Sequence, residues 1–230
     1  MLKIKDLDAY YGESIILRKI CFDVKPGQVV GLVGRNGVGK TTFLKSIMGL
    51  VATPYGEISF NDKNIIKEIS YKRAKMGIGY VPQGREIFPQ LTVYENLILG
   101  LEVCDGKGQI DDEIFTLFPV LKDMLSRKGG DLSGGQQQQL AIARALVSKP
   151  HILILDEPTE GIQPSIIKDI GRVIKMLKEK GNMSILLVEQ YLDFVLDLAD
   201  YIYIMEKGEI VEKGAIDEID KDNIKKKMAI

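Results

Sequence analysis

The stretch GRNGVGKTT, Gly34 to Thr42, is where residue type and spacing in this chain most directly imply chemistry. It fits G-x-x-x-x-G-K-[ST] and lies between an apolar run, QVVGLVG, and residues with helical spacing, the context that pattern needs. Gly34, Gly37 and Gly39, with Arg35, Asn36 and Val38 between them, let successive backbone N–H groups turn inward around phosphate oxygens. The helix start adds partial positive charge. Lys40 is expected to reach the β- and γ-phosphates of ATP and Thr41 to ligate Mg²⁺, with Thr42 completing the ATP-binding set.

The second chemical stretch is ILILDEP, Ile152 to Pro158, an apolar run ending in two carboxylates. Asp156, at the end of that strand, is expected to hold Mg²⁺ through water, and Glu157 to orient or deprotonate the attacking water. Two acids after a strand are by themselves more often a helix-start signal. Downstream of a phosphate loop they read as the other half of a hydrolytic site.

A third stretch narrows the class. In LSGGQ, the residues Leu132, Ser133, Gly134, Gly135 and Gln136 open a helical run, so the serine and the glycine amides form a second anion site. One molecule has no second phosphate to put there. With these three motifs the chain resembles the ATP-binding-cassette (ABC) family over essentially all 230 residues. The resemblance implies an α/β fold: a RecA-like P-loop NTPase core, an N-terminal antiparallel β subdomain and an inserted α-helical subdomain. It also implies two cassettes paired head to tail, each ATP lying between one subunit's phosphate loop and the other's signature. By the same resemblance Tyr11, before Gly12, stacks on adenine, and Gln83 in YVPQ meets Mg²⁺ and leads into the helical lobe on which a transmembrane partner docks. Phe88, Leu91 and Val93 either line that docking surface or form the lobe's core.

Two positions depart from the commonest pattern of that family. After DEPT the chain reads EGIQ, with Gln163 where many cassettes have aspartate, and LLVEQ ends in Gln190 where many have histidine. An amide can donate and accept hydrogen bonds but carries no charge. Gln190 is therefore expected to act on the γ-phosphate by hydrogen bonding, beside Lys40 and Glu157 as the catalytic set. The LLVEQ ending is similar to one of the two ATPase subunits of branched-chain amino-acid and related uptake systems. More narrowly, LSGGQQQQLAIARALV with DEPTEGIQPSIIKDIG resembles the corresponding subunit of urea transporters. The implied function is the ATP-hydrolysing subunit of an importer, with urea ahead of branched-chain amino acids. Its implied partners are two transmembrane permease subunits, a second ATPase subunit (a heterodimer ahead of a homodimer) and, indirectly, an extracytoplasmic solute-binding protein.

The elements that must position these residues can be read from pattern. LKIKD and ILRKICFDV alternate as strands, and Pro26-Gly27 turns the chain into the buried strand QVVGLVG. Phe43, Leu44, Ile47 and Met48 have helical spacing, closed by Gly49. GEISF and MGIGYVPQ are further strands, and residues 84–150 read as a helical lobe inserted into one unit spanning 1–230. HILILDEP, a helix from Pro164 to Lys180 capped by Gly181, the strand SILLVEQ and the hairpin YIYIMEKGEIVEKG resume the core.

Composition bounds the alternatives. Net charge is −1 with both signs mixed along the chain, so no nucleic-acid partner is expected. Cys21 and Cys104 lack the spacing of a metal site or a disulfide framework, and no apolar run reaches roughly 18 residues. The expected location is cytoplasmic, peripheral on the inner face of the cell membrane. His151 and the glutamines after Gln136 read as surface, and the tail KDNIKKKMAI as a solvated helix. A soluble ABC ATPase acting on DNA or ribosomes tends to carry two cassettes or a long coiled coil, and neither is visible. A P-loop kinase has no use for LSGGQ.

Overall fold

The five residues Val29–Val33, β3, are all buried, which is what a strand covered on both faces requires. Before it, β1 (Leu2–Tyr11) and β2 (Ser14–Val24) form an antiparallel hairpin, and after it the glycine loop enters α1 (Lys40–Ile47). β4 (Ala52–Phe60) and the short β5 (Lys63–Asn64) follow, then α2 (Ser70–Lys75) and β6 (Ile78–Val81). The chain is then helical through α3 (Val93–Leu99), α4 (Asp112–Leu117), α5 (Pro119–Lys122) and α6 (Gly134–Leu146). It returns with β7 (Ile152–Asp156), α7 (Pro164–Lys180), β8 (Ser184–Glu189), α8 (Leu192–Leu198), β9 (Tyr201–Glu206) and β10 (Glu209–Ala215). This computed structural model describes residues 1–221, 224 and 225, so most of the lysine-rich tail lies outside the described residues.

Two sheets result. One is antiparallel in the order β2-β1-β4-β5, and the other runs β10-β9-β3-β8-β7-β6, parallel except for the β9–β10 hairpin at its edge. Strand alternation divides the larger sheet's side chains. Val30, Leu32, Leu186 and Val188 join Phe43, Leu44 and Ile47 of α1 in a core shared with the antiparallel sheet. Val29, Val33, Ile185 and Leu187 join the helices of the other face. Phe22 stacks on Tyr203 at 4.0 Å and tilts against Phe43 at 4.9 Å, so α1 is wedged between the sheets by aromatic contact. At its far end the buried Arg73 donates to the Ser46 and Ile47 carbonyls, satisfying acceptors the helix leaves open.

α7 spans the expected residues, and Gly181 adopts φ +64° at its C-cap, as does Gly49 at +71° after α1. Three features were not foreseen. α2 and α8 carry too few turns for a clear period, and the glutamines after Gln136 are not solvent-facing. Gln138 and Gln139 are buried, because α6 is covered on more than one side, and the Gln137 amide donates to the Gly129 and Leu132 carbonyls. His151 is exposed, as expected. Val93 is buried and Phe88 is about half exposed, so these two lobe residues divide between core and surface.

Candidate active site

The parallel register brings the carboxyl ends of the central strands together. Val33 lies opposite Glu189, Val188 opposite Asp156, and Leu155 opposite Val81. The loops leaving β3, β6, β7 and β8 therefore open on one edge, where ligands of open α/β sheets bind.

The first of these loops is the glycine loop. Gly39 sits at φ +113° with Leu17 where a Cβ would go, and a Cβ at Gly34 would come 2.6 Å from the Met205 carbonyl. Only glycine fits either place. Lys40 opens α1 and folds back under the loop, its buried Nζ donating to the carbonyls of Gly34 (2.7 Å) and Arg35 (3.0 Å). The same ammonium lies 3.0 Å from Glu157 Oε1, and both side chains are more than nine-tenths buried.

Glu157 follows β7 with φ +48°, a left-handed conformation that non-glycine residues rarely adopt, and its N–H is held by the Val188 carbonyl at 2.8 Å. That turn sends its side chain toward Lys40. Gln83, beyond β6, donates to Glu157 Oε2 at 3.3 Å and to Glu160 Oε2 at 2.9 Å. Tyr11, Asn36, Gly37, Gly39, Lys40, Thr41, Thr42, Gln83 and Glu157 thus line one cleft of about 430 Å³, with Ile16 beside them. Tyr11 stands half exposed at its edge.

Asp156 ends β7 fully buried, and its Oδ1 has no hydrogen-bond partner. Burial pushes its carboxyl up to about 6, with the Thr41 hydroxyl pulling the other way. An orphaned buried carboxylate oxygen, with the Thr41 hydroxyl near it and the Gln83 amide on the same cleft, is a donor set that fits Mg²⁺, a hard cation that prefers oxygen.

Other expected residues are not brought into this cleft. Ser133 and Gln136 form a reciprocal capping box at the start of α6: the Ser133 N–H donates to Gln136 Oε1 at 2.9 Å, and Ser133 Oγ accepts from the Gln136 N–H at 3.3 Å. Leu132 is buried beneath them, while Gly134 and Gly135 pack against Arg85 and Ile166. None of the five lines the cleft around Lys40. Gln190 also stands apart: it is exposed and outside the cleft lining.

Three residues of the site were missed by pattern. Tyr80 donates its hydroxyl to Asp156 Oδ2 at 3.4 Å, Glu160 accepts from Gln83, and Glu189 is buried beside the same edge. Burial raises the Glu189 carboxyl, opposed by hydrogen bonds from Thr159, Tyr191 and Gln190. A signal existed for Glu189 alone, as a carboxylate inside the apolar run SILLVE.

The family model described as ABC transporter matches residues 17–160, which include the phosphate loop, the signature and the acid pair. The high-affinity branched-chain amino acid transport ATP-binding protein BraG of Pseudomonas aeruginosa is 39% identical, covering 92% of this chain and 91% of that protein. The probable branched-chain amino acid transport ATP-binding protein LivF of Archaeoglobus fulgidus is 38% identical, covering 95% and 94%. The dimeric structure of MJ0796, a bacterial ABC transporter cassette, is similar at TM-score 0.84 and 27% identity, covering 94% of this chain and 99% of that one. With the family model spanning more than half of the chain and these relatives overlapping it almost completely, the chain belongs to the ABC transporter family, as an ATP-hydrolysing cassette.

Proposed function

We propose that this chain powers uptake of branched-chain amino acids, hydrolysing ATP on the inner face of a membrane as one of a pair of cassettes. The observation that carries the chemistry is the buried Lys40 ammonium held between the glycine loop and Glu157. The cargo rests on the names of BraG and LivF, which favour branched-chain amino acids over the urea suggested by the signature and DEPTEGIQ segments. No helix among the described residues is long and apolar enough to cross a membrane, so permeases would hold the chain there.

In this reading ATP displaces Glu157 from Lys40, because its phosphates bring more negative charge and accept the loop's N–H groups as well. Tyr11 stacks on the adenine. Thr41, Gln83 and Asp156 would hold Mg²⁺, which would supply positive charge against the phosphate oxygens. Glu157, freed from Lys40 but still fixed through its N–H, orients the attacking water. Gln190 reaches the γ-phosphate by movement of its turn. The signature residues Leu132 to Gln136 of a second cassette cover the nucleotide, a reading that the dimeric form of the similar MJ0796 cassette supports only as far as pairing. That second cassette is a different ATPase in preference to another copy of this one. Half-exposed Phe88 and Tyr94 on the lobe offer aromatic surface to two permease subunits, through which an extracytoplasmic binding protein is linked indirectly.

Uptake of labelled leucine and labelled urea, in cells with and without this chain, tests the cargo. Loss of high-affinity leucine uptake with urea uptake retained is expected. The opposite pattern would restore urea.

A further inference from the structure

Glu189 is the one ionisable residue in β8, and it is 2% exposed. What its carboxylate meets is main-chain N–H. Oε1 accepts from Thr159 at 2.9 Å, and Oε2 accepts from Gln190 at 3.1 Å and Tyr191 at 3.3 Å. Thr159 lies two residues beyond Glu157, on the turn whose Glu160 accepts from Gln83. A single buried carboxylate therefore joins the turn leaving β7, which carries Glu157, to the turn leaving β8, which carries Gln190.

A buried charge is costly unless hydrogen bonds compensate it, and charge-assisted bonds to both oxygens do so here. Closing the end of a strand needs no such group. The carboxylate is also difficult to replace, because a glutamine has one acceptor oxygen and its NH₂ would face an N–H on the other side.

We propose that Glu189 is a positioning residue for hydrolysis, tying the Gln190–Tyr191 turn to the Glu157–Glu160 turn so that both sides of the γ-phosphate site move as one body. This rests on reading the cleft as the ATPase site. The two turns leave neighbouring strands, and apart from this link they are coupled by the sheet and by the Glu157 N–H on the Val188 carbonyl, which holds the β7 turn but not the Gln190–Tyr191 turn. Movement of the Gln190 turn toward the nucleotide would then be sensed at Thr159, two residues from Glu157.

The test compares the full-length parent with Glu189→Gln, Glu189→Asp, Gln190→Ala and the Glu189→Gln/Gln190→Ala double variant. Amide hydrogen exchange, ATPase kcat and KM are read in each, with Lys40→Ala as the control for the ATPase reading. In Glu189→Gln, exchange at Thr159, Gln190 and Tyr191 should quicken by about tenfold or more while the Thr41 and Thr42 amides hold. Its kcat should fall roughly ten- to a hundredfold with KM for ATP within about twofold. Glu189→Asp should recover part of that loss, and the double variant should be no slower than the slower single one. Unchanged kcat, or single effects that simply multiply in the double variant, would overturn the assignment. Should Glu189→Gln not fold, Glu189→Asp is read the same way: lower kcat at constant KM supports it and unchanged kcat overturns it. Equal turnover in the parent and Lys40→Ala would overturn the ATPase reading as well, which separates that failure from this one.

Discussion

Two helix starts in this chain, at Lys40 and at Gly134, offer backbone N–H groups to an anion, and they are furnished differently. The first has a buried ammonium, a buried carboxylate 3.0 Å from it, and Asp156 at the end of β7 with a buried oxygen that has no hydrogen-bond partner. The second has a serine and a glutamine that satisfy each other, and the Arg85 guanidinium packed against Gly134. Charge sunk into low dielectric can act on bond breaking, whereas an exposed capping turn can only recognise. The contrast is why the signature turn, taken alone, does not read as a hydrolytic site.

The largest expected effect breaks the furnished end. Lys40→Ala removes the only ammonium in the loop, and ATPase turnover should fall by about 10³ or more, roughly 4 kcal/mol of transition-state stabilisation. A tenfold rise in KM with normal turnover would instead make Lys40 a binding residue only.

Next, Glu157→Gln should keep Mg·ATP binding and lose roughly 10²–10³ of turnover, so ATP-loaded dimers accumulate. Adding Ser133→Arg should abolish those dimers by crowding the bare end. Light scattering with ATP reads both, and association that survives Ser133→Arg would argue against head-to-tail pairing.

A smaller effect concerns the fold itself. Asp156 has its carboxyl raised to about 6 by burial, so the folded state favours the neutral acid. That stabilisation is present below the ordinary carboxylate range and is lost as pH rises through about 6. Without metal, Asp156→Asn should therefore be more stable than the parent at pH 8 by about 1–3 kcal/mol, with the gain shrinking through pH 6 and gone near pH 4. Denaturant melts across that range measure it, and a pH-independent gain would mean packing is responsible. The smallest change is Ser133→Ala, which removes the α6 cap and should lower stability by about 1 kcal/mol. Loss of ATP-driven association in that variant beyond its stability loss would show the hydroxyl meeting a phosphate.

Much of the site was readable because its parts are short and contiguous. The glycine loop must be continuous to wrap a phosphate, and α7 announces its ends through Pro164 and Gly181. Tyr80 was not readable, since nothing local distinguishes a strand tyrosine that meets Asp156 from one that does not. Gln138 and Gln139 sit in a polar run that suggested solvent, and the covering of α6 on several sides reversed that expectation. Gln190 was expected at the γ-phosphate on motif position alone, and in this structure it is exposed and outside the residues that line the cleft.

By itself the sequence determined the glycine loop before α1, the acid pair after β7, the capping turn at Ser133 and the α/β character, because each depends on backbone geometry and hydrogen bonds within a few residues. Only the tertiary structure decided that Lys40 pairs with Glu157, that Asp156 keeps one oxygen without a partner, and that Glu189 links two turns. Those relations join residues far apart in the chain. They follow from the order and register of the six-stranded sheet, which is selected by burying two apolar faces at once and cannot be inferred from any one segment.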